Sequence, residues 1–232
     1  MLIGGFQKLT LIDYPKKIAT IVFTVGCNFR CGFCYNLDLV IPSRKKSLTL
    51  TKEDDFFDFL ASRKGKLEAV VVTGGEPTLQ KDLEIFLKKI KSLGFLVKLD
   101  TNGTAPEKIK KLIKKGLVDY IAMDIKNRLT ESKYKKIVGT KVDINAIKKS
   151  IKLLMENKID YEFRTTMAPG ITKEDLLSIA KSIKGAKKYF LQEFKDTEVI
   201  DLGCKKDAWL KEEELKDFKK EIDKLVKYSK IR

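Results

Sequence analysis

The sequence predicts an α/β fold, a parallel sheet that is open or curled toward a barrel with helices packed along it. Short β-branched apolar runs recur six times along the 232 residues, and the intervals between them hold segments whose apolar residues repeat at helical spacing. Strands that alternate with helices return to the sheet through right-handed crossovers, which makes neighbouring strands parallel and buries them. Polar and glycine-containing segments gather directly after these strands, where α/β barrels place their reactive groups.

Each element has its own signal. Residues 18–25, IATIVFTV, read as a buried strand, and residues 51–63 as a helix with Phe56, Phe57 and Leu60 on one face behind a Thr51 cap. A strand at 69–73 precedes a helix at 79–93, and a strand at 95–101 precedes a helix at 106–115 that starts on proline. Strands at 120–125, 161–166 and 189–194 frame helices at 144–157 and 173–183. Residues 1–17 are a short leader, and an amphipathic helix at 210–228 closes the chain. With 43% hydrophobic residues and no shift in composition, a single domain over 1–232 is expected.

The stretch that organises the rest is GCNFRCGFCYN, residues 26–36, which holds three of the four cysteines, Cys27, Cys31 and Cys34. Its C-x3-C-x2-C spacing aims three thiolates at one small volume, so a metal or metal cluster is expected. Histidine is absent from the chain, which excludes mixed cysteine–histidine zinc sites. An all-cysteine zinc site would have to recruit Cys204, which stands alone and reads as a lone thiol. A cubane iron–sulfur cluster held by three cysteines instead leaves one iron open to a small molecule.

Composition narrows the setting. No apolar run approaches the length of a membrane span, and the first residues show neither a basic signal region nor a cleavage site. Thiols that must stay reduced agree with the cytoplasm. The formal charge is +16, yet only six of the 48 basic residues are arginine. Scattered lysine reads as a solvated surface, and without grouped arginines and aromatics neither nucleic acid nor membrane is expected as a partner. The excess charge can still steer an acidic protein partner or an anionic substrate.

The strand ends carry the remaining candidates. Gly74-Gly75-Glu76 after the second predicted strand is either a tight turn or a backbone surface that a ligand approaches closely, with main-chain donors and acceptors facing outward. Asp100-Thr101-Asn102-Gly103 after the third is an ordinary Asn-Gly strand exit or a ligand contact through Asn102. Asp124 and Lys126 share one side of an extended segment. Arg164 lies on a central strand, where an unpaired charge is costly, so it is expected to face the barrel mouth and an anion. Gln192 and Glu193 stand at the end of the last strand, either positioning ligand or capping the sheet.

C-x3-C-x2-C with Phe33 just before the third cysteine resembles the cluster loop of the radical S-adenosylmethionine (SAM) enzymes. The resemblance implies a (β/α)6 partial barrel over nearly the whole chain, one [4Fe-4S] cluster on Cys27, Cys31 and Cys34, and SAM as the second cofactor. It further implies that the Gly74-Gly75-Glu76 backbone binds the SAM amino group and that Asp124 and Lys126 contact SAM. Arg164 becomes a candidate for the SAM carboxylate, Asn102 and Gln192 further SAM contacts, and Phe33 and Tyr35 flanks for the adenine.

The opening GGFQKLTLIDYPKKIATIVFTVGCNFRCGFCYN is similar to the start of the anaerobic ribonucleoside-triphosphate reductase activating proteins, which are glycyl-radical-enzyme activases. Many of those carry histidine where this chain has Tyr35. The resemblance implies reductive cleavage of SAM and removal of a glycine α-hydrogen from a partner enzyme, with ferredoxin or flavodoxin as the low-potential electron donor. Two other readings remain open: a radical SAM enzyme acting on a small molecule such as a deazapurine precursor, and a zinc-bound nucleic-acid-binding module.

Overall fold

The computed structural model describes residues 1–41, 43, 48–194 and 212–232, with side chains of the last segment described from residue 217 onward. Its strands are β1 (Ile3–Thr10), β2 (Ala19–Thr24), β3 (Ala69–Gly74), β4 (Leu96–Thr101), β5 (Tyr120–Asp124), β6 (Asp160–Met167), β7 (Tyr189–Glu193) and β8 (Ser229–Ile231). Its helices are α1 (Leu37–Val40), α2 (Glu53–Ala61), α3 (Leu83–Ser92), α4 (Pro106–Lys114), α5 (Glu131–Val138), α6 (Ile144–Met155), α7 (Lys173–Ser182) and α8 (Glu212–Asp223).

All eight strands belong to one sheet in sequential order. β1 runs antiparallel to β2, and every later pair is parallel. Residues from β1 to β7, with Arg232 just past β8, line a single cavity on the concave face, so the sheet is curled. Among the described residues β1 and β8 do not pair, and the barrel stays open.

Alternation along the strands divides the core in two. Val22, Val70, Val72, Leu99, Met123 and Phe163 point outward and pack with Phe86, Leu87, Ile147 and Ile179 of the helices. On the concave side a smaller cluster of Tyr14, Ala19, Ile21, Ala69, Val71 and Tyr120 fills the floor beneath the site. Two alanines there leave room for the Tyr14 and Tyr120 rings, whose centroids lie 5.8 Å apart.

The six expected strands are present, and two edge strands join them. β1 escapes the pattern because most of its side chains are exposed or half-buried and two of its eight residues are glycine. β8 has only three residues. α5, also unforeseen, buries Tyr134, Ile137 and Val138 at helical spacing, but its eight residues make a weak periodic signal. It ends on Gly139 in the left-handed conformation, φ 65°.

Several expected boundaries move. Thr51 does not cap α2; its backbone N–H donates to the Ile3 carbonyl at 2.9 Å and ties the chain to β1. α2 starts at Glu53 without a side-chain cap, and Glu53, Asp54 and Asp55 in its first turn complement the helix dipole. The helix expected at 79–93 splits into a 3-10 turn at Pro77–Leu79 and α3. The closing helix ends at Asp223, five residues short of the expected limit, so that the chain can turn into β8; residues 210 and 211 and Cys204 lie outside the described residues.

Leu87 of α3 is fully buried in the outer core. Leu87→Ala is expected to destabilise the protein by about 2–5 kcal/mol, read as a lower urea midpoint with unchanged transition slope.

Candidate active site

β2 ends at Thr24 and delivers the chain directly into the cysteine segment. Cys27, Cys31 and Cys34 are free thiols that line a cavity of about 700 Å³, within the usual range for small-ligand sites. Among the described residues, no three His, Cys, Asp or Glu side chains are placed to hold a single metal ion. A cubane cluster makes a different demand, because each thiolate binds its own iron and the sulfurs ring a volume. Burial pushes the Cys27 thiol up to about 11 and the Cys31 thiol up to about 12. Ligation of iron therefore requires these thiols to lose their protons.

The loop is held from outside. The Arg30 guanidinium donates to the carbonyls of Cys27 and Phe29 at 2.8 and 2.7 Å. Just beyond α5, the Thr140 hydroxyl donates to the Asn28 carbonyl at 3.1 Å, and the Arg30 N–H donates to the Val138 carbonyl at 2.8 Å. A Cβ on Gly139 would sit 2.6 Å from the Arg30 carbonyl oxygen, so glycine is needed for this approach.

The Gly74-Gly75-Glu76 corner is stitched to the same loop. The Gly75 N–H donates to the Thr24 carbonyl at 2.8 Å and the Glu76 N–H to the Gly26 carbonyl at 2.7 Å. The Gly75 and Glu76 donors are thus occupied, while the Gly74 carbonyl accepts from the Asn36 side chain at 3.5 Å and the Glu76 carbonyl from the Leu79 N–H at 3.1 Å, so what the corner offers a ligand is carbonyl lone pairs. A Cβ on Gly75 would lie 2.0 Å from the Gly26 carbonyl oxygen, which excludes any larger residue.

Glu76 is buried, and its carboxylate accepts from the Thr78 N–H at 3.0 Å, the Thr101 hydroxyl at 2.8 Å and the Asn102 N–H at 2.7 Å. Burial nevertheless leaves its carboxyl above the ordinary range. The Asn102 side chain then donates to Asn28 at 2.9 Å, so one carboxylate links the end of β4 to the cysteine loop.

Across the concave ends of β4, β5 and β6 runs a chain of alternating charges. Lys98 donates to Asp100 at 2.5 Å; Arg164 donates to Asp100 at 3.0 Å and to Asp124 at 2.7 Å; Lys126 donates to Asp124 at 3.0 Å. Asp124 and Arg164 are register partners on adjacent strands, which makes their contact a consequence of the pairing. Three cations face two carboxylates within this chain, and each cation has a carboxylate partner; Asp13, Glu76, Glu193 and Arg232 also line the cavity. The Lys126 ammonium also stands 5.6 Å from the Phe33 ring centroid, beside the cysteines.

The structure brings every candidate residue to one place. Phe33, Tyr35, Gly74, Gly75, Glu76, Asn102, Asp124, Lys126, Arg164 and Gln192 line the cavity with the three cysteines. Phe33 is buried, whereas Tyr35 is 64% exposed at the rim. Arg164 faces the mouth as expected, but two carboxylates of the chain already engage it. Lys98 and Asp100 were not among the candidates, although their alternation in LVKLDT places two charges on one face of a buried strand. Asn28 and the Tyr134 hydroxyl, which accepts the Lys126 N–H at 3.1 Å, become visible only through long-range contacts.

Burial by itself would raise the Asp100 and Asp124 carboxyls, but the Arg164 guanidinium and the Lys98 and Lys126 ammoniums outweigh it and hold both below the usual range. A carboxylate lowered on folding adds stability that is complete above its unfolded value, about pH 4, and is lost as the pH falls toward the folded value. Asp124→Asn, which removes one titrating group, should therefore show a smaller loss of urea midpoint between pH 6 and pH 3 than the wild-type chain.

Comparison with known proteins agrees with this geometry. Residues 21–183 match the family model described as the radical SAM superfamily. A protein of Methanocaldococcus jannaschii that carries the provisional name of glycyl-radical enzyme activating enzyme is 40% identical over 97% of this chain and 95% of its own length. The GTP 3′,8-cyclase of Aquifex aeolicus is 27% identical over 76% of this chain and 55% of its own length. Among solved structures, Streptococcus suis SuiB superposes on 91% of the chain and 50% of its own length, with a TM-score of 0.66 at 14% identity. TYW1 with a lysine–pyruvate adduct superposes on 91% of the chain and 74% of its own length, with a TM-score of 0.64 at 17% identity. The family's cofactors, a [4Fe-4S] cluster and SAM, suit a cavity with three thiols, carbonyl acceptors and the cationic groups of Arg164 and Lys126. The chain belongs to the radical SAM superfamily.

Proposed function

We propose that this radical SAM enzyme is a glycyl-radical-enzyme activase, with an anaerobic ribonucleoside-triphosphate reductase as its target. The observation that carries the reading is the 40% identity, over 97% of the chain, to a relative named for glycyl-radical enzyme activation. The open barrel supports it, since a target glycine sits on a polypeptide loop that must enter from the side. Because no helix among the described residues is long and apolar enough to cross a membrane, nothing in them opposes the cytoplasmic setting we propose.

When bound, the cluster supplies one electron and SAM the 5′-deoxyadenosyl group that removes the glycine hydrogen. In this reading Cys27, Cys31 and Cys34 hold the cluster. The carbonyls of the Gly74-Gly75-Glu76 corner accept from the SAM ammonium, while Glu76 keeps that corner and the end of β4 in place. The net positive chain through Arg164, Asp124 and Lys126 receives the SAM carboxylate. Phe33 and Tyr35 flank the adenine, and Asn102 and Gln192 complete the polar lining. The protein's contribution is orientation and exclusion of water.

A small-molecule radical SAM reaction is the second reading, favoured by the 27% identity to a GTP 3′,8-cyclase over 76% of the chain. The test is anaerobic reconstitution with iron and sulfide, reduction, and addition of SAM together with an anaerobic ribonucleotide reductase. The expected result is 5′-deoxyadenosine together with a glycyl radical in the reductase by electron paramagnetic resonance. Product without a glycyl radical in any candidate enzyme would remove the activase reading. Cys31→Ala is expected to abolish 5′-deoxyadenosine formation; wild-type yield from that variant would refute the ligand assignment.

A further inference from the structure

Exposed lysines recur along the helices, and only some are paired. Around α3 and α4, Glu53 takes Lys89, Asp119 takes Lys91, and Glu84 takes Lys111 and Lys115, whereas Lys110 and Lys114 of α4 and Lys148, Lys149 and Lys152 of α6 form no ion pair among the described residues. The last turn of α5 and the segment after it carry a further unpaired group, set apart by its place beside the cysteine loop. Lys135, Lys136 and Lys141 are exposed, and among the described residues they form no ion pair. Neighbouring acids are otherwise engaged. Asp175 takes Arg128 and Lys133, while Asp143 caps α6 through the N–H groups of Asn145 and Ala146. Glu131 lies at the opposite end of α5.

This unmatched charge sits against the back of the cysteine loop. The contacts of Val138, Gly139 and Thr140 with Arg30 and Asn28 join the end of α5 to the loop backbone, and Phe29 meets Tyr134 with ring centroids 6.3 Å apart. Arg30 adds a further positive charge that meets only carbonyls. The concave side of the loop opens on the cavity, where the cofactor and target belong. Among the described residues, its other side meets the end of α5.

We infer that Arg30, Lys135, Lys136 and Lys141 form the docking face for an acidic, low-potential electron-donor protein. The inference rests on the radical SAM reading of the cavity. One electron leaves the donor's reduced cofactor and enters the cysteine-held centre, with no bond or proton transferred, so a donor must reach the cysteine loop, and this face adjoins the end of α5 that is hydrogen-bonded to it. Charge complementarity raises the encounter rate and orients the donor.

The test compares two reductants on the reconstituted full chain, reduced flavodoxin as an acidic protein donor and dithionite as a small one. The K135E/K136E/K141E variant should lose about tenfold or more of its flavodoxin-driven 5′-deoxyadenosine rate at low ionic strength, with the gap narrowing as salt rises. Its dithionite-driven rate should match the wild type. Calorimetric binding of oxidised flavodoxin, which needs no turnover, should weaken in parallel, and the corresponding lysine-to-glutamine variant should fall between.

K16E/K64E/K66E, which alters exposed lysines at the far end of the strands, should bind flavodoxin as the wild type does. An unchanged flavodoxin-driven rate, equal loss in that control, or equal loss with dithionite would overturn the docking face. So would charge reversal that weakens binding of the glycyl-radical partner while sparing reduction. A wild-type chain inert with both reductants would overturn the cofactor reading, and the docking face with it.

Discussion

The site depends on a chain of paired buried charges. Lys98, Asp100, Arg164, Asp124 and Lys126 alternate across three neighbouring strands, and the parallel register of β5 with β6 fixes the central contact. Removing water from such groups is costly unless each finds a partner, and loss of one partner from a buried pair typically costs about 3–5 kcal/mol. Here each cation and each carboxylate has a partner, with Arg164 shared between Asp100 and Asp124. An anion entering the cavity therefore meets guanidinium and ammonium groups already held in place by those carboxylates.

A second constraint ties that surface to the cysteines. Glu76 accepts from both sides of the β4 exit, and through Asn102 and Asn28 its placement reaches the loop that carries Cys27. Gly75 lets the β3 exit approach Gly26 more closely than any side chain would permit. The thiols, the carbonyl acceptors and the charge chain consequently sit together at the ends of β2 to β6. Catalysis that relies on a reactive cofactor asks for this kind of fixed arrangement, because the protein's part is to decide which hydrogen lies within reach.

Much of this was legible in the sequence for identifiable reasons. The cysteine spacing is local, and the six buried strands announce themselves by β-branched runs, so the sheet and the convergence of three thiols could be read without coordinates. β1 and β8 could not, since an edge strand with glycines and exposed side chains, or one of three residues, lacks a periodic signature. Arg164 was legible as a charge that needs a partner, yet its partners, 40 and 64 residues away, were not. The Glu76 carboxylate was likewise visible as a residue but not as a link, because its bonds to Thr101 and Asn102 span 25 and 26 positions. Local pattern reveals which residue types are present; the register of the sheet decides which of them meet.

The most direct test is the electron paramagnetic resonance spectrum of the reduced, reconstituted protein with and without SAM. If three cysteines hold a cubane cluster with one iron open to the cavity, adding SAM shifts the spectrum of the wild-type chain. A protein that retains no iron, or one whose cluster spectrum is indifferent to SAM, contradicts the account.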